Sequence, residues 1–315
     1  MLAATSLAAV VFRDLFAVVM LFGIYSLLSA AFFVNVDAID VAMTEAAVGA
    51  GITTILMLAA LGLTTRYTHR PAHGRFLPLL VVTVTGAALI YGTLDMPHFA
   101  DPEGPVHHHV APRYVELTDD EIGMPNIVTA VLASYRGYDT LGETVVIFTA
   151  GLGVLMLLGT TMVRRAEEGD APRPHTILRS VGDALLPLIL LFGLYIQFHG
   201  DFGPGGGFQA GVVFAAGFIL YGLVYSLPRV QQLMPSELLR SLACIGVLIY
   251  GGTGLLTLLG GGVYLDYNVL GKTQVAGQHL GIFLVELGVG MNVAATMLNI
   301  FMRFAGRRTR SFEDA

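Results

Sequence analysis

Long apolar runs separated by short polar stretches repeat along this chain. A membrane-spanning helix needs about 20 predominantly apolar residues, and the pattern predicts eight such helices. Their expected ranges are Leu15 to Val34, Val41 to Leu63, Leu77 to Leu94, Thr144 to Met162, Leu185 to Phe198, Gly207 to Leu227, Leu239 to Leu259 and Ala276 to Phe301. Met1 to Phe12 is too short to span, so it should form an interfacial stub or lengthen the first helix. The pattern predicts an all-α, polytopic membrane protein with two four-helix halves.

Composition agrees with a membrane protein. Of the 315 residues, 55% are hydrophobic and 13% are charged, and the mean hydropathy is +0.71, far above that of a soluble domain. The single cysteine, Cys244, excludes an internal disulfide, and its apolar surroundings predict a small buried side chain. No basic segment precedes the first apolar run, so we expect no cleaved signal peptide.

The basic residues predict the orientation of the helices. All but three of the 17 Lys and Arg residues fall on connections that alternate to one side of the predicted bundle. Only Arg113, Arg136 and Lys272 fall on the other side. Basic residues near helix ends favour the cytoplasm, so both termini should be cytoplasmic. The acidic loop 95–139 and the segment 260–274 should then lie outside.

A polar, glycine-rich hinge interrupts the apolar pattern between the fifth and sixth predicted helices. Its candidate functional residues are His199, Asp201, Pro204, Gly205, Gly206, Gly207, Phe208 and Gln209. Irregular backbone near membrane depth persists only where protein covers it or where it lines a wet cavity. His199 can titrate near neutral pH with Asp201 as its natural partner; alternatively, both side chains bond to loop amides. A phosphate-binding role is not expected, because the P-loop lysine and the following Ser or Thr are missing.

Acidic residues within predicted helices are the next candidates, because each costs at least ~2.5 kcal/mol in a bilayer without a partner. Asp40 lies at the outer mouth of the second helix, where Asp37 is more simply explained as a helix cap. Glu45 lies too deep for a cap, and its small neighbours favour a buried proton or cation position. A static hydrogen bond between helices is the alternative for Glu45.

Two further groups contain an acid and a basic or titratable side chain. Arg136, Asp139 and Glu143 share one helical face, so the arginine can neutralise either acid; a purely structural ion pair is the alternative. His279 and Glu286 stack on one face of the last helix about 10 Å apart. Glu286 has no basic residue within a turn, which suits it to proton exchange.

Other chemistry has little support in the sequence. The exterior loop carries His98, His107, His108 and His109, but helical ligand spacing and Cys ligands are missing, so we predict no metal site. A serine in a nucleophile elbow is also missing. We expect no cofactor, no nucleic-acid partner and no enzymatic activity.

The second half of the chain resembles the MnhB or MrpB subunit family of multisubunit Na⁺/H⁺ antiporters. The family's hallmark is Gly-His-x-x-Pro-Gly-Gly-Gly-Phe-Gln-Gly-Gly, and the stretch from Gly200 to Gly211 retains its core from Pro204 to Gln209. Asp201 stands where the pattern has histidine, and Ala210 replaces a glycine. A role tied to the histidine of the pattern therefore does not transfer directly, although His199 lies nearby.

The first half resembles two other pieces of such complexes. Asp40 to Gly49 is similar to the MbhD-type domain, and Asn126 to Glu143 is similar to the MbhE-type domain. These resemblances divide the chain into an MbhD-like membrane domain (1–70), an MbhE-like membrane domain (71–165), a cytoplasmic linker (166–180), an MnhB/MrpB-like four-helix domain (181–305) and a cytoplasmic tail (306–315).

The resemblance implies a multi-pass subunit of an Mrp-type Na⁺/H⁺ antiporter in a bacterial or archaeal cell membrane. Its expected partners are other subunits, Na⁺, H⁺ and lipid. The only lysine, Lys272, lies in a loop, so this chain lacks the relay lysine of the family's large subunits and should contribute carboxylates without pumping alone. The alternatives are an ion-translocating subunit of a complex I-related redox complex, such as a membrane-bound hydrogenase, and a purely architectural subunit.

Overall fold

A computed structural model describes residues 1–68, 76–159 and 176–306. Within these ranges the chain is helical, and its only extended pairing is an isolated bridge between Asp14 and Tyr67. Most of the predicted linker and most of the predicted tail lie outside the described residues, together with their Lys and Arg residues other than Arg179.

Eight described helices are long and apolar enough to cross a membrane, so the predicted all-α, polytopic fold is confirmed. They are α2 (Leu15–Asn35), α3 (Ile39–Leu61), α4 (Phe76–Thr93), α5 (Gly137–Leu158), α6 (Thr176–His199), α7 (Gly207–Tyr225), α8 (Ser236–Leu259) and α9 (Gln274–Ala305). A shorter helix, α1 (Leu2–Val11), packs against α2. Phe12, Arg13 and Asp14 separate these two helices, so α1 does not lengthen α2.

Two helices begin at least seven residues earlier than the hydropathy pattern predicts. α5 begins at Gly137 instead of Thr144, and α6 begins at Thr176 instead of Leu185. The added turns carry charged side chains, which lower hydropathy but are compatible with a helix. α6 also continues through Pro187.

The last helix, α9, is the centre of the fold. It runs for 32 residues and packs against α3, α5, α7 and α8. A Cβ on Gly288 would lie 2.6 Å from the carbonyl oxygen of Gly246 in α8. A Cβ on Gly211 in α7 would lie 2.7 Å from the carbonyl oxygen of Gly290. Glycine therefore allows these backbones to touch, as small residues do in many membrane helix interfaces.

Two helical regions contain wider π-helical turns. In α3 the π segment runs from Ala46 to Thr53, directly after Glu45. A second π segment, Val131–Tyr135, precedes the break at Arg136 where α5 begins. π-helical segments are rare in proteins overall but occur often at functional sites. Both predicted groups of acids in the first half adjoin such a segment.

The loop between α4 and α5 folds onto the start of α9. Gln274 Nε2 donates to the carbonyl oxygen of Glu121 at 3.0 Å. The Glu121 carboxylate accepts hydrogen bonds from the Tyr135 hydroxyl at 2.6 Å and from Arg113 at 2.9 Å. These two contacts hold the pKa of Glu121 below its ordinary value. The loop is thereby anchored to the second half of the chain.

Some apolar surfaces remain uncovered within this chain. α4 makes no extended contact with another described helix, and nearly all of its residues are exposed. Cys244 in α8 is also exposed, so the predicted burial of this cysteine is wrong. An apolar run does not indicate which face turns inward, because lipid-facing side chains are as apolar as buried ones.

Candidate functional site

The glycine hinge reverses the chain between α6 and α7. It returns so closely that Gly206 N donates to the carbonyl oxygen of Ile196 at 3.1 Å. A Cβ on Gly200 would lie 2.8 Å from Gly206 N. Gly206 also has a φ of 111°, which residues with a side chain rarely adopt. The tight reversal therefore requires glycine at both positions.

Asn126, which lies ahead of α5, joins this hinge to the first half. Its Nδ2 donates to the carbonyl oxygens of Gly200 at 3.0 Å and Gly203 at 2.9 Å, and it lies 3.3 Å from Asp40 Oδ1. Its Oδ1 caps the helical turn that follows, as N-cap asparagines do. Thr129, in that same turn, donates to the carbonyl oxygen of Gly200 at 2.7 Å.

The N-terminal turns of α3 also contact the hinge. Gly205 N lies 3.4 Å from Asp40 Oδ1. The buried Gln209 donates from Nε2 to Thr44 Oγ1 at 2.8 Å, and Thr44 in turn donates to the carbonyl oxygen of Asp40 at 3.0 Å. Two candidate residues that are distant in sequence, Asp40 and Gln209, therefore belong to one hydrogen-bonded group.

Glu286 of α9 completes the group. Its carboxylate accepts a hydrogen bond from Gly207 N at the start of α7. A Cβ on Gly206 would lie 2.9 Å from Glu286 Oε2. The charges of Asp201 and Asp40 both act on Glu286. Asp40 contacts Gly205 N, Glu286 contacts Gly207 N and Asp201 lies within the hinge, so α3, the hinge and α9 each bring one carboxylate to the same glycine segment.

Asp201 and the two candidate histidines have different surroundings. The pKa of Asp201 is raised by burial, and the nearby charge of His279 partly opposes this shift. His279 Nε2 lies 3.1 Å from the carbonyl oxygen of Gly123. The His199 ring instead stacks on Tyr195, with 4.8 Å between ring centroids. No hydrogen bond or ion pair joins His199 to Asp201 among the described residues, and their pairing stays a prediction.

Replacing Asp201 with asparagine should stabilise the protein at neutral pH. Because the pKa of folded Asp201 lies above its ordinary value of 3.8, the folded state holds this proton more tightly than the unfolded chain. The free energy of unfolding therefore falls as the pH rises from below 3.8 to above the raised pKa of folded Asp201. The advantage of Asp201→Asn in melting temperature should grow between pH 4 and pH 7. Asp119→Asn, in the exposed loop, is the control, and an advantage independent of pH would contradict the prediction.

The other candidate acids lie outside this group. Arg136 pairs with Asp139 at 2.6 Å, while Glu143 is exposed and has no hydrogen bond or ion pair among the described residues. Glu45 is half-buried, and its Oε1 lies near Gly49, beside Ser26 of α2. The seven predicted ion-path residues therefore occupy three separate places.

Two buried tyrosines were not identified from the sequence. Tyr250 donates to the carbonyl oxygen of Gly137 at 2.8 Å, and Tyr267 donates to that of Ala133 at 3.0 Å. They bond to backbone carbonyls beside the break at Arg136, where the helical ladder is interrupted. No local pattern indicates these contacts, because each joins residues more than a hundred positions apart. Asn126 did carry a local signal, as a capping residue ahead of an apolar run.

The hinge and the side chains around it provide three kinds of polar group: the carboxylates of Asp40, Asp201 and Glu286, the amides of Asn126 and Gln209, and the imidazole of His279. Such groups can hold or pass protons and can attract cations. Across residues 1–68, 76–159 and 176–306, no set of three or more His, Cys, Asp or Glu side chains is arranged to hold a metal ion. In the loop between α4 and α5, His108 Nε2 contacts Glu103 at 3.4 Å, and both side chains are exposed.

Comparison with known proteins agrees with this architecture. Residues 177–299 match the domain related to the MnhB subunit of Na⁺/H⁺ antiporter. Residues 1–66 match the MbhD family of MBH subunits, and residues 79–171 match the MbhE family of MBH subunits. The putative antiporter subunit mnhB2 of Staphylococcus aureus strain Newman is 31% identical over 136 residues, which are 42% of this chain and 96% of that protein. The equivalent protein of strain JH1 matches to the same extent.

Two solved structures are also similar. The Mrp complex from Dietzia sp. DQ12-45-1b contains a chain with a TM-score of 0.74 and 24% identity; the match covers 99% of the present chain and 34% of that one. The membrane-bound sulfane sulfur reductase, an archaeal respiratory membrane complex, contains a chain with a TM-score of 0.53 and 30% identity. That match covers 72% of the present chain and 97% of the other.

The spanning helices and the glycine hinge, which side chains of the first half contact, define a multi-pass membrane subunit of the antiporter-related class. The chain belongs to the MnhB family of Na⁺/H⁺ antiporter subunits, and MbhD and MbhE domains precede its MnhB domain. The resemblances inferred from the hinge and from the two N-terminal motifs are thus confirmed.

Proposed function

We propose that this chain is a membrane subunit of an Mrp-type Na⁺/H⁺ antiporter that contributes carboxylates to the ion path and packs against other subunits. The observation that carries this proposal is the convergence of Asp40, Asp201 and Glu286 on the family's glycine hinge. Three nearby acids in a membrane protein favour protonation of at least one, because like charges repel in a low dielectric. Such a group can exchange a proton for a cation.

Glu45 and Glu143 are proposed to extend the path through the first half. Glu45 adjoins the π segment of α3, and Glu143 lies within α5. With either residue changed to glutamine, Na⁺-driven proton exchange in vesicles carrying the whole complex should fall at least ~10-fold, about 1.4 kcal/mol in barrier. Glutamine retains the size and polarity of glutamate but cannot ionise.

Glu116→Gln, in the exposed exterior loop, is the matched control and should exchange normally. A native gel on the same membranes separates the alternatives. Full exchange in both Glu45→Gln and Glu143→Gln would remove these residues from the path. Loss of the assembled complex in the same variants would favour an architectural subunit.

A redox-linked role is the second candidate, and the similarity to the sulfane sulfur reductase favours it. In that case this chain would form part of the ion-translocating arm, and the redox centres would belong to other subunits. The neighbouring genes would separate the two functions. Antiporter subunits alone would favour the first, and genes for soluble redox subunits would favour the second.

We also propose a bacterial or archaeal cell membrane as the location, with both termini in the cytoplasm. The distribution of Arg residues among the connections supports this orientation. In this arrangement the hinge and the exterior loop face outside.

A further inference from the structure

The helix α5 has two distinct faces. Its inner face packs against α9, where Asn292 Nδ2 donates to the carbonyl oxygen of Thr144 at 2.7 Å. On the same face, a Cβ on Gly151 would lie 2.8 Å from the Thr296 side chain. This face is committed to contacts within the chain.

The opposite face of α5 is uncovered by this chain. It carries Gly142, Glu143, Val146, Ala150, Gly153 and Leu157, which lie within about 100° of one another on a helix. Val146 is 66% exposed and Leu157 is 85% exposed. A Cβ on Gly142 or Gly153 would meet no atom within 4 Å. The face is therefore apolar and contains small residues; near its N-terminal end it carries two carboxylates, Asp139, which is paired with Arg136, and Glu143, which has no ion pair among the described residues.

The Glu143 carboxylate is poorly suited to contact with lipid. The charged groups that act on Glu143 are Asp139, which repels it, and Arg136. Arg136 bonds directly to Asp139 at 2.6 Å. An ionisable side chain facing hydrocarbon costs at least ~2.5 kcal/mol. A second protein surface with a complementary charge would remove most of this cost.

We propose that the outward face of α5 is a docking surface for a membrane helix from outside this chain, and that this helix presents a Lys, Arg or His side chain to Glu143. The small residues Gly142 and Gly153 permit a close helix approach, and the carboxylate selects a basic partner residue. The proposal rests on the proposed function only in that the chain works within a multisubunit complex. It places Glu143 at an interface instead of inside this chain.

Photo-crosslinking within the intact complex tests this surface. A benzophenone amino acid at position 146 should cross-link to a separate polypeptide, at a membrane-spanning peptide that contains a basic residue. The same group at position 148, where Phe148 packs toward the core, should react only within the chain. Cross-links from position 146 to lipid alone, or to a helix without a basic residue, would overturn the proposal.

Charge reversal gives a second, independent test. Glu143→Lys should reduce the cross-link and the co-purification of the partner at least ~10-fold, about 1.4 kcal/mol. Changing the partner's basic residue to Glu should restore both. Glu116→Lys in the exterior loop is the control for added charge. Normal partner recovery with Glu143→Lys would contradict the docking surface.

The two proposals can fail separately. If Glu143→Gln exchanges normally while the cross-link and the charge-reversal effect persist, the docking surface stands and Glu143 leaves the ion path. If Glu143→Gln loses exchange while position 146 reaches only lipid, the docking surface is overturned and the proposed function stands.

Discussion

Replacing Gly207 with alanine is expected to prevent α7 from packing on α9. A Cβ at this position would overlap the carbonyl oxygen of Glu286 and lie 2.8 Å from Gly290 N. Both obstacles are backbone atoms of the central helix, so no side-chain rotation can relieve them. Separating the helices would also break the hydrogen bond from Gly207 N to Glu286. We expect a loss of about 3 kcal/mol or more, which is large against the roughly 5–15 kcal/mol typical of a folded domain.

The measurement is the yield and melting temperature of the full chain within its membrane complex. Gly252→Ala in α8 is the matched control, because a Cβ there meets no atom within 4 Å and alanine favours a helix over glycine. The control should melt at the parent temperature or slightly above. Parental yield and melting temperature in Gly207→Ala would show that α7 and α9 are not held at the described distance.

The sequence predicts the number of spanning helices because each apolar run reports one crossing of the bilayer. It predicts their ends less well. α5 extends to Gly137 through Glu143 and Asp139, and α6 extends to Thr176, because charged side chains lower the hydropathy of a segment but remain compatible with a helix. The buried or exposed side of each helix is also not predicted, as the exposed Cys244 shows.

The candidate site was predictable as a set of residue types and less so as an arrangement. Acids within apolar runs identify Asp40 and Glu286, and the row of glycines identifies the hinge. An ionisable side chain or an irregular backbone is unfavourable in a bilayer unless protein or water satisfies its polar groups. Their convergence depends on contacts between residues distant in sequence, such as Gly205 with Asp40. The periodicity of hydrophobic residues in strands or helices describes local structure and carries no information on such long-range contacts.

The departure from the family pattern at Asp201 gains an explanation from the structure. The pattern places histidine where this chain has aspartate, and His199 is the nearest histidine in the sequence. His199 stacks on Tyr195, while His279 of α9 lies within electrostatic range of Asp201. A histidine therefore does approach this position, but it comes from another helix.

Changing Glu286 to glutamine is expected to abolish exchange while the complex remains assembled. The glutamine side-chain oxygen can still accept the hydrogen bond from Gly207 N, so the junction of hinge and α9 should survive. The substitution removes the ionisable carboxyl of Glu286, with which Asp201 and Asp40 interact electrostatically. Exchange in vesicles should fall at least ~10-fold, about 1.4 kcal/mol in barrier.

The variant Glu286→Leu distinguishes a role of Glu286 in the ion path from a role in packing α7 against α9. Leucine cannot accept a hydrogen bond, so the buried Gly207 N–H would lose its acceptor at a cost of about 1–3 kcal/mol. This variant should therefore lose both exchange and thermal stability, whereas Glu286→Gln should lose exchange alone. Glu116→Gln again serves as the exposed control. Parental exchange in Glu286→Gln, together with a destabilised Glu286→Leu, would make Glu286 a packing residue that secures α7 to α9 and would exclude it from the ion path.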